Sequence, residues 1–425
     1  MALDIVSFLG LIAAILLLGI MCSILSNWIK LPNVLLLVLV GMLLGIPRIE
    51  GERLISFPSQ FLMAIGILAL VMIVFDSASR LKLWEVTTLS TSTLKLVIGF
   101  IFFTSLLLTL LTKLFFGIIS WPLSLLFATL MAGTDPATVL VIMENEKHKV
   151  FEVLKLESII NTPFVVLFPF LILDVMKSMQ GGGATGALLL SLADYWAPFL
   201  KQFVTGIGTG IIIGLIVFKL MSRHYSEKIS PMAIFTAALL TYVLAELLEG
   251  NGVLAVTVLG LFFGNIVISH KDQLLKVSSF LSSSLEVLVF ILIGMIIHIP
   301  SKIGFILKSF ALFMLYLGIR WITLQLTLRR EFSQKELGFM TLNAAKGIAV
   351  ATVIFALSAM HSDPDSIIFQ GPGVTELLNL TLLFLLFSIV VSTLSLPFAN
   401  RMLGIKPGLK KEPGPTPAEV EQGDA

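Results

Sequence analysis

The chain of 425 residues is 57% hydrophobic and only 13% charged, with a mean hydropathy of +1.02, which excludes a water-soluble domain of this length and marks a polytopic membrane protein. The single cysteine, Cys22, excludes an intramolecular disulfide and a cysteine-based metal cluster. A net charge of +2 gives no reason to expect nucleic acid or a soluble partner, so only the distribution of charge is informative.

Apolar stretches of bilayer length predict an all-α protein of about thirteen transmembrane helices. They centre on residues 5–28, 33–46, 60–78, 95–117, 122–143, 153–176, 197–221, 231–248, 253–269, 280–299, 303–328, 336–358 and 375–398. The first lacks a basic n-region and runs into further spans, so it reads as mature structure rather than a secretory signal. The third ends on Asp76, followed by Ser77, Ser79 and Arg80, where the carboxylate reads either as an interfacial cap or as an ion ligand.

The fifth span carries Gly133-Thr134-Asp135-Pro136 inside the apolar run from Leu123 to Met143. A carboxylate at that depth costs at least a few kcal/mol and marks an ion or proton path. Pro136 cannot donate to the carbonyl of Ala132, which frees an oxygen suited to a cation. In the sixth span the helical period sets Ser158 and Thr162 on one face, and Glu157 and Asn161 on an adjacent one. Serine and threonine oxygens on one stripe suit a hard cation, while Glu157 is placed to pair with Arg320 of the eleventh span or Lys346 of the twelfth.

A Gly-rich link at Gly181-Gly182-Gly183 follows, and then the seventh span, whose Gly206, Gly208, Gly210 and Gly214 read as helix-packing positions. Glu286, in the tenth span, reads as a salt-bridged interface residue. The twelfth span holds Asn343-Ala344-Ala345-Lys346-Gly347, a charge and a glycine in mid-helix. The polar loop from His361 to Gly373 precedes the last span, and the tail from Lys406 has the Pro, Gly and charge content of a disordered segment.

Lysines and arginines divide between alternate loops, sixteen in the set that includes Arg80, Arg329 and Arg401 against four, Arg48, Arg53, Lys177 and Lys302, in the other. The positive-inside rule then predicts an outer N-terminus and a cytoplasmic C-terminus, which requires an odd number of spans. His148, His224 and His270 fall in the cytoplasmic set and read as solvated. Six spans, one connecting span and six more would set two halves in opposite orientation, with the fifth and twelfth spans as matching broken helices that cross near mid-membrane. There Asp135 and Lys346 would each offset the charge of nearby helix ends.

Thr134-Asp135-Pro136, Glu157-Ser158 followed by Asn161, Gly250-Asn251-Gly252 through Gly264-Asn265, and the arginine and lysine of spans eleven and twelve resemble the monovalent cation/proton antiporter superfamily, most closely its NhaP-type sodium/proton branch. The likeness covers residues 5 to about 400. It implies an NhaA-like fold of six-helix inverted repeats with crossed discontinuous helices, forming a membrane domain over residues 1–400. Transport elements would lie at about 60–176 and 280–398, with a cytoplasmic tail at 401–425. It further implies a homodimer in the cell membrane, no cofactor, and an elevator-like exchange of Na+ or Li+ for H+, electroneutral in the parent family.

By the same resemblance the ion contacts come from Thr134, Asp135, Ser158 and residue 162, with Asp76 near the site. Glu157 with Arg320 is a stabilising pair, and Lys346 stands where relatives carry arginine or lysine; Asn161, on its own chemistry, reads as a cap or bridge for the unwound backbone of the fifth or twelfth span. One departure bears on all of this: relatives read Asn-Asp in the sixth span, and this chain reads Asn161-Thr162. Threonine keeps an oxygen and loses the charge. Either Asp135, with Asp76, carries transport, or Thr162 traps the chain in one state as a transport-deficient sensor; K+ in place of Na+ is a further alternative. An intramembrane enzyme is disfavoured by the lack of a His-Glu-x-x-His motif or a second Gly-x-Gly-Asp. A channel is disfavoured by broken helices around a buried acid.

Overall fold

The computed structural model describes residues 5–29, 33–46, 48–49, 52–53, 57–80, 91–135, 148–180, 188–223, 229–266, 270–296, 302–361 and 373–403. Pro136, the Gly181-Gly182-Gly183 link, His224, most of the loop from His361 to Gly373 and the tail from Lys406 lie outside them. In chain order the elements begin with α1 (Ile5–Ile29), α2 (Asn33–Gly45), the antiparallel two-residue strands β1 (Arg48–Ile49) and β2 (Glu52–Arg53), and α3 (Ser59–Ser79). Next come α4 (Thr91–Phe115), with one π-helical turn at Thr104–Leu108, α5 (Trp121–Met131), α6 (Lys149–Gln180), α7 (Leu188–Arg223), α8 (Ile229–Leu247) and α9 (Gly252–Asn265). The chain closes with α10 (Lys271–Ile296), α11 (Ile303–Leu328), α12 (Gln334–Leu342), α13 (Ile348–His361), α14 (Val374–Ser395) and a short α15 (Ala399–Leu403).

A helix occupies each predicted span, and nine helices among the described residues are long and apolar enough to cross a membrane. Their starts follow local chemistry. Ser120 caps α5, its Oγ accepting from the Leu123 N–H at 3.5 Å, with Pro122 in the first turn. Ser333 and Glu336 form a reciprocal capping box at α12, and the Asn251 side chain accepts from Leu254 N–H at 2.8 Å to open α9.

Because lipid is as apolar as a leucine side chain, helices associate here through close packing rather than through escape from water. Gly41 of α2 and Gly294 of α10 illustrate this. A Cβ on the first would come within 2.2 Å of the Ile291 carbonyl, and on the second within 2.4 Å of the Val38 carbonyl, so the two backbones touch. On α7, Gly206, Gly210 and Gly214 face α9, where added Cβ atoms would meet Asn251 O at 2.8 Å, Ala255 O at 2.4 Å and the Phe262 ring at 2.8 Å. Gly208 departs from the packing expectation, because a Cβ there would meet nothing within 4 Å.

Central to the fold is α3, buried through the run Ala69 to Phe75 and packed on α9, α10 and α13. On its other side α6 joins α5, while α4 lies on α11. Lipid-facing side chains such as Ile20, Ile24, Ile212, Ile216 and Leu326 are exposed. This arrangement leaves α3, α6 and the two broken regions facing a common space.

Candidate functional site

Two interruptions define the site. Helix α5 ends at Met131, and residues up to Asp135 are non-helical; residues 343–347 separate α12 from α13. The interruptions meet through the Asp135 N–H, which donates to the Ala345 carbonyl at 2.8 Å. Each helix end leaves carbonyls without partners along its own axis, and each receives a buried cation. Lys346 Nζ donates to Met131 O at 2.5 Å, Gly133 O at 2.7 Å and the Tyr316 hydroxyl at 2.5 Å. Arg320 Nε donates to Met340 O at 3.1 Å, in the last turn of α12. Both ends carry partial negative charge, which these cations offset.

Arg320 spends its remaining donors on Glu157, with Nη1 to Oε1 at 2.6 Å and Nη2 to Oε2 at 3.0 Å, and its guanidinium lies 4.8 Å from the Phe100 ring centre. Both side chains of the pair are fully buried. From Glu157 a polar chain runs toward the break in α5: Thr134 Oγ1 donates to Glu157 Oε1 at 3.3 Å, and Asn161 Nδ2 donates to Thr134 Oγ1 at 2.8 Å. The other end of the amide, Asn161 Oδ1, is buried and makes no hydrogen bond among the described residues.

Unwound backbone at residues 343–347 is held by a serine stripe on α14 that sequence reading overlooked. Ser388 Oγ accepts from Lys346 N–H at 3.0 Å, while Ser392 and Ser395 donate to Asn343 Oδ1 at 2.9 and 3.2 Å. The spacing of 388, 392 and 395, one helical face of hydroxyls, was the available signal. Tyr316 was also missed; it stands one turn before Arg320 on α11, where the same period would have set it beside the buried cations.

A cavity of about 150 Å³ lies between these elements, lined by Thr134 and Asp135 from the α5 break, Ser158, Asn161 and Thr162 from α6, Gly347 ahead of α13, and Ser77 and Arg80 from the end of α3. Asp135 packs directly over Gly347, since a Cβ there would lie 2.0 Å from Asp135 Oδ2. The carboxylate thereby sits at the N-terminal end of α13, where the helix dipole favours negative charge. Thr162 Oγ1 donates its proton to Ser158 O at 2.7 Å, so only its lone pairs remain for a cation.

Asp76 does not line this cavity. Its two oxygens accept from Arg80, Nε to Oδ2 at 3.0 Å and Nη2 to Oδ1 at 3.2 Å, and it is Arg80 that reaches the cavity wall. Glu286, on α10, does not line the cavity. Among the described residues no group of three His, Cys, Asp or Glu could hold a metal ion. The available ligands are one carboxylate and neutral oxygens, a donor set for a hard monovalent cation.

Residues 12–401 match the family described as sodium/hydrogen exchanger, transmembrane. Among curated relatives, the K(+)/H(+) antiporter NhaP2 of Shewanella sp. (strain ANA-3) is 24% identical over 411 residues, covering 93% of this chain and 66% of the relative. The chain thus spans just under two thirds of that relative's length. The Na(+)/H(+) antiporter NhaH of Halobacillus aidingensis is 27% identical over 412 residues, covering 89% of this chain and 94% of the relative. The solved sodium proton antiporter MjNhaP1 of Methanocaldococcus jannaschii superposes with a TM-score of 0.72 at 18% identity, covering 92% of this chain and all of that one.

Proposed function

Because the chain belongs to the transmembrane sodium/hydrogen exchanger family, a family of cation/proton antiporters, we propose that it is a secondary active antiporter exchanging Na+ or Li+ for H+ across the cell membrane by alternating access. One observation carries the reading. Asp135 is the single acidic side chain lining the cavity among the described residues, surrounded by hydroxyl and amide oxygens at the point where two helices unwind.

Exchange follows from the charge of that carboxylate. Empty and ionised, Asp135 is costly to carry through hydrocarbon; neutralised by one proton or one alkali ion, it is cheaper to carry. The ion would be held by Asp135 with Ser158 Oγ, Thr162 Oγ1 and a Thr134 backbone oxygen, and Asn161 lines the same cavity. With a single acidic side chain in the cavity, one cation is exchanged for one proton, and transport is electroneutral. Glu157, Arg320, Asn161 and Lys346 keep the broken helices in register and do not exchange a proton or an ion during the cycle.

Transport elements at about 60–176 and 280–398 shift against the remaining helices in a homodimer, with the N-terminus outside and the C-terminus in the cytoplasm. The charge bias between loops supports that orientation, and it sets Arg80 and the mouth of the cavity on the cytoplasmic side. Reconstitution into proteoliposomes with a pH-sensitive dye tests the whole reading. Adding Na+ or Li+ dissipates an imposed pH gradient, and Asp135→Asn lowers the rate by at least about tenfold, the loss of one acid–base group. Undiminished exchange in that variant would sink the proposal.

K+/H+ exchange is the second reading. Its support is the similarity to the Shewanella K(+)/H(+) antiporter NhaP2, together with Thr162, which leaves fewer charged ligands to strip the shell from a small ion. The same vesicles given K+ decide between them.

A further inference from the structure

We propose that Arg80 is a fixed positive charge that sets the cation affinity of the cavity, and that Asp76 is a positioning residue which holds this guanidinium away from Asp135 rather than a ligand of the transported ion. The inference rests on the antiporter reading and assigns roles to two residues that the reading leaves unused. A basic side chain in the wall of a cation site is out of place. Among the described residues that line the cavity, Arg80 is the one cation and Asp135 the one anion, so Arg80 opposes the entry of every ion that Asp135 attracts.

Its geometry shows how the opposition is restrained. Both Asp76 oxygens accept from the guanidinium, at 3.0 and 3.2 Å, a two-point grip that fixes orientation as well as distance. The side chain of Arg80 is 47% exposed and that of Asp76 only 14%, so a more buried carboxylate anchors a guanidinium that remains open to solvent. Arg80 also stands at the C-cap of α3, where the helix dipole favours a cation, and Ser79 Oγ donates to the Asp76 carbonyl at 2.8 Å, tightening the same turn.

Without the Asp76 carboxylate, the acid left to Arg80 among the cavity residues is Asp135. The guanidinium then acts as a tethered competitor for the transported ion. Asp76→Asn is therefore expected to raise the KM for Na+ on the order of threefold to tenfold, an effect overcome by more Na+. Arg80→Gln is expected to lower KM by a similar factor. The double variant Asp76→Asn with Arg80→Gln returns KM to the wild-type value or below, because the competitor is gone.

Measurement of Na+-dependent proton release in proteoliposomes, with Na+ titrated for the wild type and all three variants, tests this. Rescue in the double variant supports the proposal. A double variant as impaired as Asp76→Asn overturns it, since the carboxylate would then be needed for itself, and so does an unchanged KM in Arg80→Gln, whose exposed site tolerates the change. Asp135→Asn in the same series separates the two readings: exchange surviving there refutes the antiporter site itself, whereas exchange lost there with no rescue in the double variant refutes only the roles of Arg80 and Asp76.

Discussion

Lys346 and Gly133 belong to different broken helices, yet Nζ of the first lies 2.7 Å from the carbonyl oxygen of the second, so the unwound segment of one helix neutralises the end of the other. Lys346→Met would leave the carbonyls of Met131 and Gly133 and the Tyr316 hydroxyl without this donor. Each buried group so stranded costs about 1–3 kcal/mol. A loss of about 3 kcal/mol or more is expected, read as a lowered unfolding midpoint in detergent.

Glu157 and Arg320 form the second buried pair. Removing one member strands a charge, so Glu157→Gln is expected to cost roughly 3–5 kcal/mol. Glu157→Leu combined with Arg320→Met recovers part of this, because no charge is then left alone. Recovery is incomplete: the Met340 carbonyl loses its donor and Thr134 its acceptor. Denaturant titration of the two variants in the same detergent checks the order.

The positions of the helices were legible because hydrocarbon thickness dictates the length of an apolar run, and the fifth and twelfth spans betrayed themselves by carrying charge where a continuous helix gains nothing from it. Side-chain direction was not legible. Asp76 counted as a possible ligand and Arg80 as one loop charge among sixteen, although their spacing of four already set them on one helical face. That Thr162 gives its proton back to its own helix depends on a rotamer no pattern of residues specifies. The serines of α14 looked like ordinary small residues because their partner, the Asn343 amide, lies on a distant segment.

Gly347 has no room for a side chain. A Cβ would lie 2.0 Å from Asp135 Oδ2 and 2.2 Å from Asp135 Cβ, both well inside contact, so Gly347→Ala must push the carboxylate out of its place. Exchange is expected to fall by roughly tenfold or more, in line with the penalty for displacing a reacting group by about 1 Å. Retention of a sharp, monodisperse elution profile with wild-type exchange would contradict the placement.

Outside the membrane core, the hydrogen bond and charge of Lys201 hold the Glu249 carboxyl below the usual carboxylate range. A folded-state value below the unfolded one stabilises the fold above the unfolded pKa, and that contribution is lost as pH falls through the folded value. Lys201→Ala should therefore lower stability slightly at neutral pH and leave it unchanged below the carboxylate range, which flattens the acid limb; the change is small because both side chains are exposed and the pair is screened. Unfolding midpoints measured between about pH 3 and pH 7 read this directly, the window bounded by the reference carboxylate range.

Thr162 stands where the resemblance to sodium/proton antiporters leads us to expect an aspartate, and Thr162→Asp tests what that difference does. The present hydroxyl offers lone pairs and no charge, its proton being committed to Ser158 O. An ionised carboxylate there would add a second negative charge to a cavity of about 150 Å³ that already holds Asp135, and two such acids cannot both remain empty and ionised without cost. The variant should therefore bind Na+ more tightly, on the order of tenfold in apparent affinity, and should bind a proton as well when Na+ is absent. The electroneutral exchange that the resemblance implies for a site with both acids means that one proton still leaves per ion; only if both acids released protons in one cycle would exchange become electrogenic. Voltage-sensitive dye traces recorded alongside the pH signal distinguish the outcomes: tighter binding with no membrane potential means that only one acid titrates during the cycle, and no change in affinity means that position 162 does not face the ion.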